Sequence, residues 1–149
     1  MSTLGSIGIR VENGPPGQSI ASANAVPILH EIRHALEQLQ RTGNTSTIDL
    51  QALPFGPGDR DRLFQALGTG EVNATVTSLG ETRIRETSYP GVWIVEYLSP
   101  NGAELTAHIE VTQVPTLLAT PHEEIDNSLQ RLDSLLTTDP FSPSEERQE

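Results

Sequence analysis

His30-Glu31-Ile32-Arg33-His34 is the run whose residue types and spacing match a reaction centre. An H-E-x-x-H pattern on a helix sets two imidazoles one turn apart, with the Glu as base for a metal-bound water. That is the chemistry of a zinc hydrolase. A catalytic zinc takes a third protein ligand, and the remaining histidines, His108 and His122, sit in no extension motif. Counting 100° per residue, the pair lies nearly opposite the apolar stripe of Ile28, Ile32 and Leu36, on a face that predicts solvent. The chain is also short for a peptidase with a second lobe. The expectation is two solvated histidines at His30 and His34, with no catalytic residue, no resident metal and no other cofactor. A small zinc hydrolase built on His30, Glu31 and His34 is the alternative.

Other chemistry is excluded more simply. The chain has no cysteine, so thiolate catalysis, disulfides, iron–sulfur ligation and cysteine zinc sites are all absent. Gly68-Thr69-Gly70 follows a helical run and precedes a strand, the reverse of a phosphate-binding loop, and there is no lysine to reach a phosphate. No serine lies in a nucleophile-elbow context. Two residues stand out instead. Glu86 alternates onto the same face as Ile84, expected to point inward, while Arg83 and Arg85 point outward; a carboxylate near a core is paired or has a raised pKa. Trp93, the single Trp, starts the expected central strand. It serves core packing or, as a residue type enriched at binding hot spots, recognition.

The elements that must position these residues are read from periodicity. Residues 24–44 predict a helix with Ile28, Ile32, Ala35, Leu36 and Leu39 on one stripe, ended by Gly43. Residues 47–53 predict a short strand in which Ile48, Leu50 and Ala52 alternate. Pro54, Gly56, Pro57 and Gly58 break the chain before a second helix, 59–67, opened by Asp59 and Asp61 at its positive end. Residues 71–112 predict a meander of four strands, with Val72, Ala74 and Val76 on one side. Tyr89-Pro90-Gly91 and Pro100-Asn101-Gly102 make turns, and Leu105, Ala107, Ile109 and Val111 point inward on the last strand. The run VWIVEYL is apolar on both faces at its start, as an interior strand requires. Thr120 with Glu123 predicts a capping box, and Pro121 the first position of a final helix striped by Ile125, Leu129, Leu132 and Leu136. The order α-β-α-β-β-β-β-α predicts an α+β fold, a mainly antiparallel sheet of about five strands with three helices.

The 149 residues are 35% apolar and 4% aromatic, enough for one modest aliphatic core. Residues 1–22 and 138–149 read as flexible tails, the second acidic, around a single domain at 23–137. Twenty acids against nine arginines give a formal charge of −11. That balance repels phosphate backbones and anionic lipid, so nucleic acid and membrane are not expected partners, while a basic polypeptide is electrostatically reasonable. No run is long enough to span a membrane and no leader pattern opens the chain, so the cytoplasm is expected.

Several segments, in this order, carry a family resemblance. LQALPFGPGDRDRLFQALGTGEVNATV is followed by IRETSYPGVWIVEYL and then HIEVTQVPTLL. Together they resemble the HupH/HyaF family of hydrogenase expression and formation proteins over about residues 25–137. The resemblance implies an accessory, chaperone-like role in maturing an uptake nickel–iron hydrogenase, without enzymatic activity. Its implied partners are the iron–sulfur small-subunit precursor, before twin-arginine export, and other hydrogenase accessory proteins. By position it singles out Gly70, Glu71, Glu86, Gly91 and Trp93 as motif or partner-binding residues, and leaves His30 and His34 outside the matching segments. Family members commonly carry two tandem copies of the unit and this chain carries one, so self-pairing into a homodimer is a further expectation. A generic interaction module with another client is the remaining alternative.

Overall fold

The computed structural model describes residues 24–143. The tail expected at 1–22 lies outside the described residues, as does the part of the C-terminal tail beyond 143.

Helix α1 (Ala25–Thr42) buries Ala25, Ile28, Ile32 and Ala35, and Gly43 ends it at φ 75°, its N–H bonded to Leu39 O. Only glycine takes that left-handed conformation without strain. Strand β1 (Ser46–Asp49) is shorter than its alternation predicts. Asp49 accepts the Gln51 N–H at 2.9 Å, a local bond that competes with strand pairing and turns Leu50–Ala52 into a 3-10 turn.

Helix α2 (Asp59–Leu67) spans the residues expected, with Leu63 and Leu67 buried. Its first residue, Asp59, is fully buried. One carboxylate oxygen accepts the Gly56 N–H at 2.8 Å and the Asn24 side-chain amide at 3.1 Å. Asn24 also donates to Pro54 O at 2.8 Å. The Pro/Gly loop and the starts of both helices are thereby tied to one side chain; its other oxygen has no hydrogen-bond partner.

Strands β2 (Asn73–Thr77), β3 (Glu81–Glu86), β4 (Val92–Leu98) and β5 (Glu104–Val111) form the meander. With β1 they make one antiparallel sheet in the order β1-β5-β4-β3-β2. Register assigns the faces, because residues directly opposite across a pair point the same way. Val92 and Ile94 lie opposite Val111 and Ile109. They form the core with Ala107, Ile48, Leu50 and the buried sides of α1 and α2. Trp93 and Val95 point to the other face with Ile84 and Glu86. Ile84 is fully buried as expected, but on the sheet face opposite α1 and α2. Arg85 points to the helix side, where its guanidinium and that of Arg60 each lie 5.1 Å from the Phe64 ring centroid. Leu105, expected inward, is 59% exposed, and Val72, expected on one side with Ala74 and Val76, is 43% exposed. Val72 precedes β2, and Leu105 lies near the β4–β5 register shift at Tyr97/Leu98.

The chain divides into two compact units, one ending at Gln113 and the other starting at Val114. The second contains a 3-10 turn (Thr116–Leu118) and helix α3 (His122–Thr137). The expected capping box is absent. Pro121 keeps an extended ψ of 144° and takes the N-cap position itself, so the helix starts one residue later and Thr120 falls short of the cap. No α3 residue is buried.

Leu63→Ala is expected to cost about 2–5 kcal/mol, because it empties a fully enclosed site. Leu132→Ala in α3 should change stability by no more than about 0.5 kcal/mol. Denaturant midpoints of the two variants check both values.

Candidate functional site

The five positions singled out from sequence gather where β3 ends and β4 begins. Gly70 N–H donates to Glu86 O at 2.8 Å, and Glu86 N–H to Val72 O at 2.9 Å, which straps the segment after α2 onto β3. A Cβ on Gly70 would lie 2.4 Å from Thr87 O and 3.1 Å from the Glu86 side chain. No other residue fits there without moving backbone. Gly91 has φ +92° in the turn between β3 and β4 and accepts the Thr112 N–H at 2.9 Å. Trp93 is directly opposite Glu86 on β3 and Glu110 on β5. It is 5% exposed, and its indole N–H donates to Thr112 O at 3.0 Å. Glu71 is exposed and Glu86 half-buried.

Sequence reasoning passed over the residues that hold this corner together. Ser88 donates both its N–H (2.9 Å) and its hydroxyl (2.6 Å) to Leu67 O, closing the C-terminal end of α2 against the turn. Thr87, 1% exposed, donates its N–H to Val92 O at 3.0 Å, and its hydroxyl oxygen accepts the Tyr89 N–H at 3.2 Å. A Ser/Thr pair before a Pro-Gly turn signals this local bonding, but only register shows that it reaches α2.

Across the same sheet face runs the row Glu86, Trp93, Glu110, each the cross-strand neighbour of the next. Beside it the Tyr97 and His108 rings meet edge-on at 5.4 Å between centroids, and Asp49 lies opposite His108 on β1. Burial pushes the Glu110 carboxyl above its ordinary value, opposed by the nearby His108. Burial, then the Glu110 charge, raises the Tyr97 phenol. Among the described residues neither Glu86 nor Glu110 has an ion-pair partner. On the helix side, Arg60 makes a two-pronged contact with Glu104 at 2.7 and 2.8 Å and reaches Glu96 at 3.8 Å.

His30, Glu31 and His34 are exposed on α1, away from Ile28 and Ile32, as the helical count predicts. Among the described residues no group of three or more His, Asp or Glu side chains is arranged to hold a metal. No described helix is long and apolar enough to cross a membrane.

A family model described as "HupH hydrogenase expression protein, C-terminal conserved region" matches residues 22–138. The hydrogenase expression/formation protein HoxQ of Azotobacter vinelandii is 35% identical over 114 residues, 73% of this chain and 39% of that protein. The hydrogenase expression/formation protein HupH of Rhizobium leguminosarum bv. viciae is 25% identical over 122 residues, 82% of this chain and 43% of that protein. This chain therefore spans about two fifths of the length of these curated relatives. The solved structure of the hydrogenase expression protein HupH from Thiobacillus denitrificans is 40% identical, with a TM-score of 0.74. It covers 78% of this chain and 98% of that one.

Two outcomes are expected at this corner. Gly70→Ala should destabilise the fold by about 1–3 kcal/mol, since the added methyl meets backbone; thermal melts compared with Glu71→Ala, near neutral, check it. Glu110 binds its proton more readily folded than unfolded, so its favourable contribution is complete at low pH and is lost as pH rises through its folded pKa. Glu110→Gln should therefore raise the melting temperature near pH 7. That gain should shrink as pH falls through and below the ordinary Glu value of about 4.3, where the wild-type carboxyl becomes protonated in the unfolded state as well.

Proposed function

This chain belongs to the family defined by the C-terminal conserved region of the HupH hydrogenase expression protein, and from that premise we propose that it is an accessory protein for the maturation of a nickel–iron uptake hydrogenase. The observation that carries this reading is the family match over residues 22–138. The names of the relatives, all hydrogenase expression or expression/formation proteins, support it.

In this proposal the chain binds rather than reacts. It has no cysteine with which to hold a cluster or attack a substrate. Its client is the iron–sulfur small-subunit precursor, held in the cytoplasm before twin-arginine export, alongside other hydrogenase accessory proteins. Gly70, Gly91 and Trp93 act in recognition by fixing the corner. Glu71 and Glu86 are its accessible charged groups and make the contact. Self-pairing of the unit into a homodimer is part of the same proposal; a monomeric mass at micromolar concentration would remove it.

The test is recovery of the tagged chain from cells making the hydrogenase. The small-subunit precursor is expected to co-purify, and the double variant Glu71→Gln/Glu86→Gln to recover markedly less of it at an unchanged melting temperature. Absence of every hydrogenase component from the recovered material would sink the proposal.

A further inference from the structure

Helix α3 has sixteen residues and buries none of them. Its aliphatic side chains nevertheless follow a strict order. Ile125, Leu129, Leu132 and Leu136 are spaced four, three and four residues apart and are 50%, 60%, 54% and 65% exposed. That spacing is the a/d seam of a helix that packs along another helix. Leu135, 50% exposed, widens it on one side. A lone helix of this length is marginal in water and owes its stability to burying such a stripe.

The charges beside the seam define the occupant. Asp126 and Asp133, one heptad apart, border it on one flank; Ser128 and Leu135 border the other, which carries no charge. Glu123 and Glu124 occupy the first turn, and Arg131 is the single cation of the helix. None of these carboxylates makes an ion pair with a described residue. An antiparallel second copy would set the same acids against one another, and a parallel one would set them against Ser128 and Leu135, with no cation to meet them in either case. A cationic flank would meet both aspartates at e-type positions, where interhelical pairs select the partner.

We propose that α3 is a docking helix for an amphipathic partner helix with an aliphatic seam flanked by arginine or lysine. The formal charge of −11 and the absence of lysine add long-range attraction for such a segment. The inference stands on α3 and not on the hydrogenase assignment, so failure of co-purification with hydrogenase components leaves it intact.

The experiment uses the full chain and two synthetic helical peptides of about three heptads, both with Leu at a and d. One carries Arg at e and g, the other Glu, and binding is read by fluorescence anisotropy. The Arg peptide is expected to bind, and the Glu peptide about tenfold more weakly or less. Leu129→Ser/Leu132→Ser should weaken the Arg peptide by about tenfold or more, and Asp126→Asn/Asp133→Asn by several-fold. Neither change should shift the melting temperature, because α3 buries nothing. Three results overturn the proposal: equal binding of the two peptides or none by either; full binding of the Arg peptide to the Leu→Ser variant; or a dimer in sedimentation that this variant dissolves.

Discussion

Strand β4 imposes the constraint from which the rest of the sheet follows. Val92, Trp93, Ile94 and Val95 are all buried, and alternation sends them to opposite faces. A strand of that kind is stable only with a paired neighbour on each edge and cover on each face. The edges are met by β3 and β5. On one face α1 and α2 close over Val92 and Ile94. On the other, Trp93 lies between two carboxylate-bearing neighbours, Glu86 and Glu110, so the strand that organises the core also brings acids against an aromatic surface.

The corner beside β4 shows how tightly these requirements interlock. Gly70, Thr87, Ser88 and Gly91 join the end of α2, the end of β3 and the start of β4 through backbone contacts with little slack. Asp59 does the same at the opposite end of α2, with Asn24 and the Pro/Gly loop. Helix α2 is short, and its position is fixed by what grips its two ends as much as by Leu63 and Leu67.

The elements legible in the sequence were those bounded by glycine or patterned strongly. Both α1 and α2 end at left-handed or open glycines, Gly43 and Gly68, and the four meander strands are separated by Pro/Gly turns. What failed depended on one dihedral or on partners distant in the chain. Alternation through Leu50 gave way to the Asp49 side chain, and the extended ψ of Pro121 displaced the start of α3. Alternation placed Ile84 with Glu86, but it could not tell which sheet face α1 and α2 would cover. Among the candidate site residues, the Tyr89-Pro90-Gly91 turn made Gly91 legible and only the family resemblance singled out Gly70, whereas the contact with Thr87 O and the link to Thr112 needed the register. Glu110 went unnoticed because an isolated acid carries no pattern, and Asp59 was legible only as an acid at a helix start, since its burial depends on Asn24 and Gly56.

The strand order has a consequence for how the sheet comes together. From β2 to β5 every pairing joins consecutive strands through a short turn, and such hairpins close quickly with little loss of chain entropy. The β1–β5 pairing brings Ser46 to Val111 and encloses all of α2 and the meander. This closure carries the largest loop penalty in the sheet, and its ladder is only four residues long. Strand β1 is therefore the last to be repaid for joining.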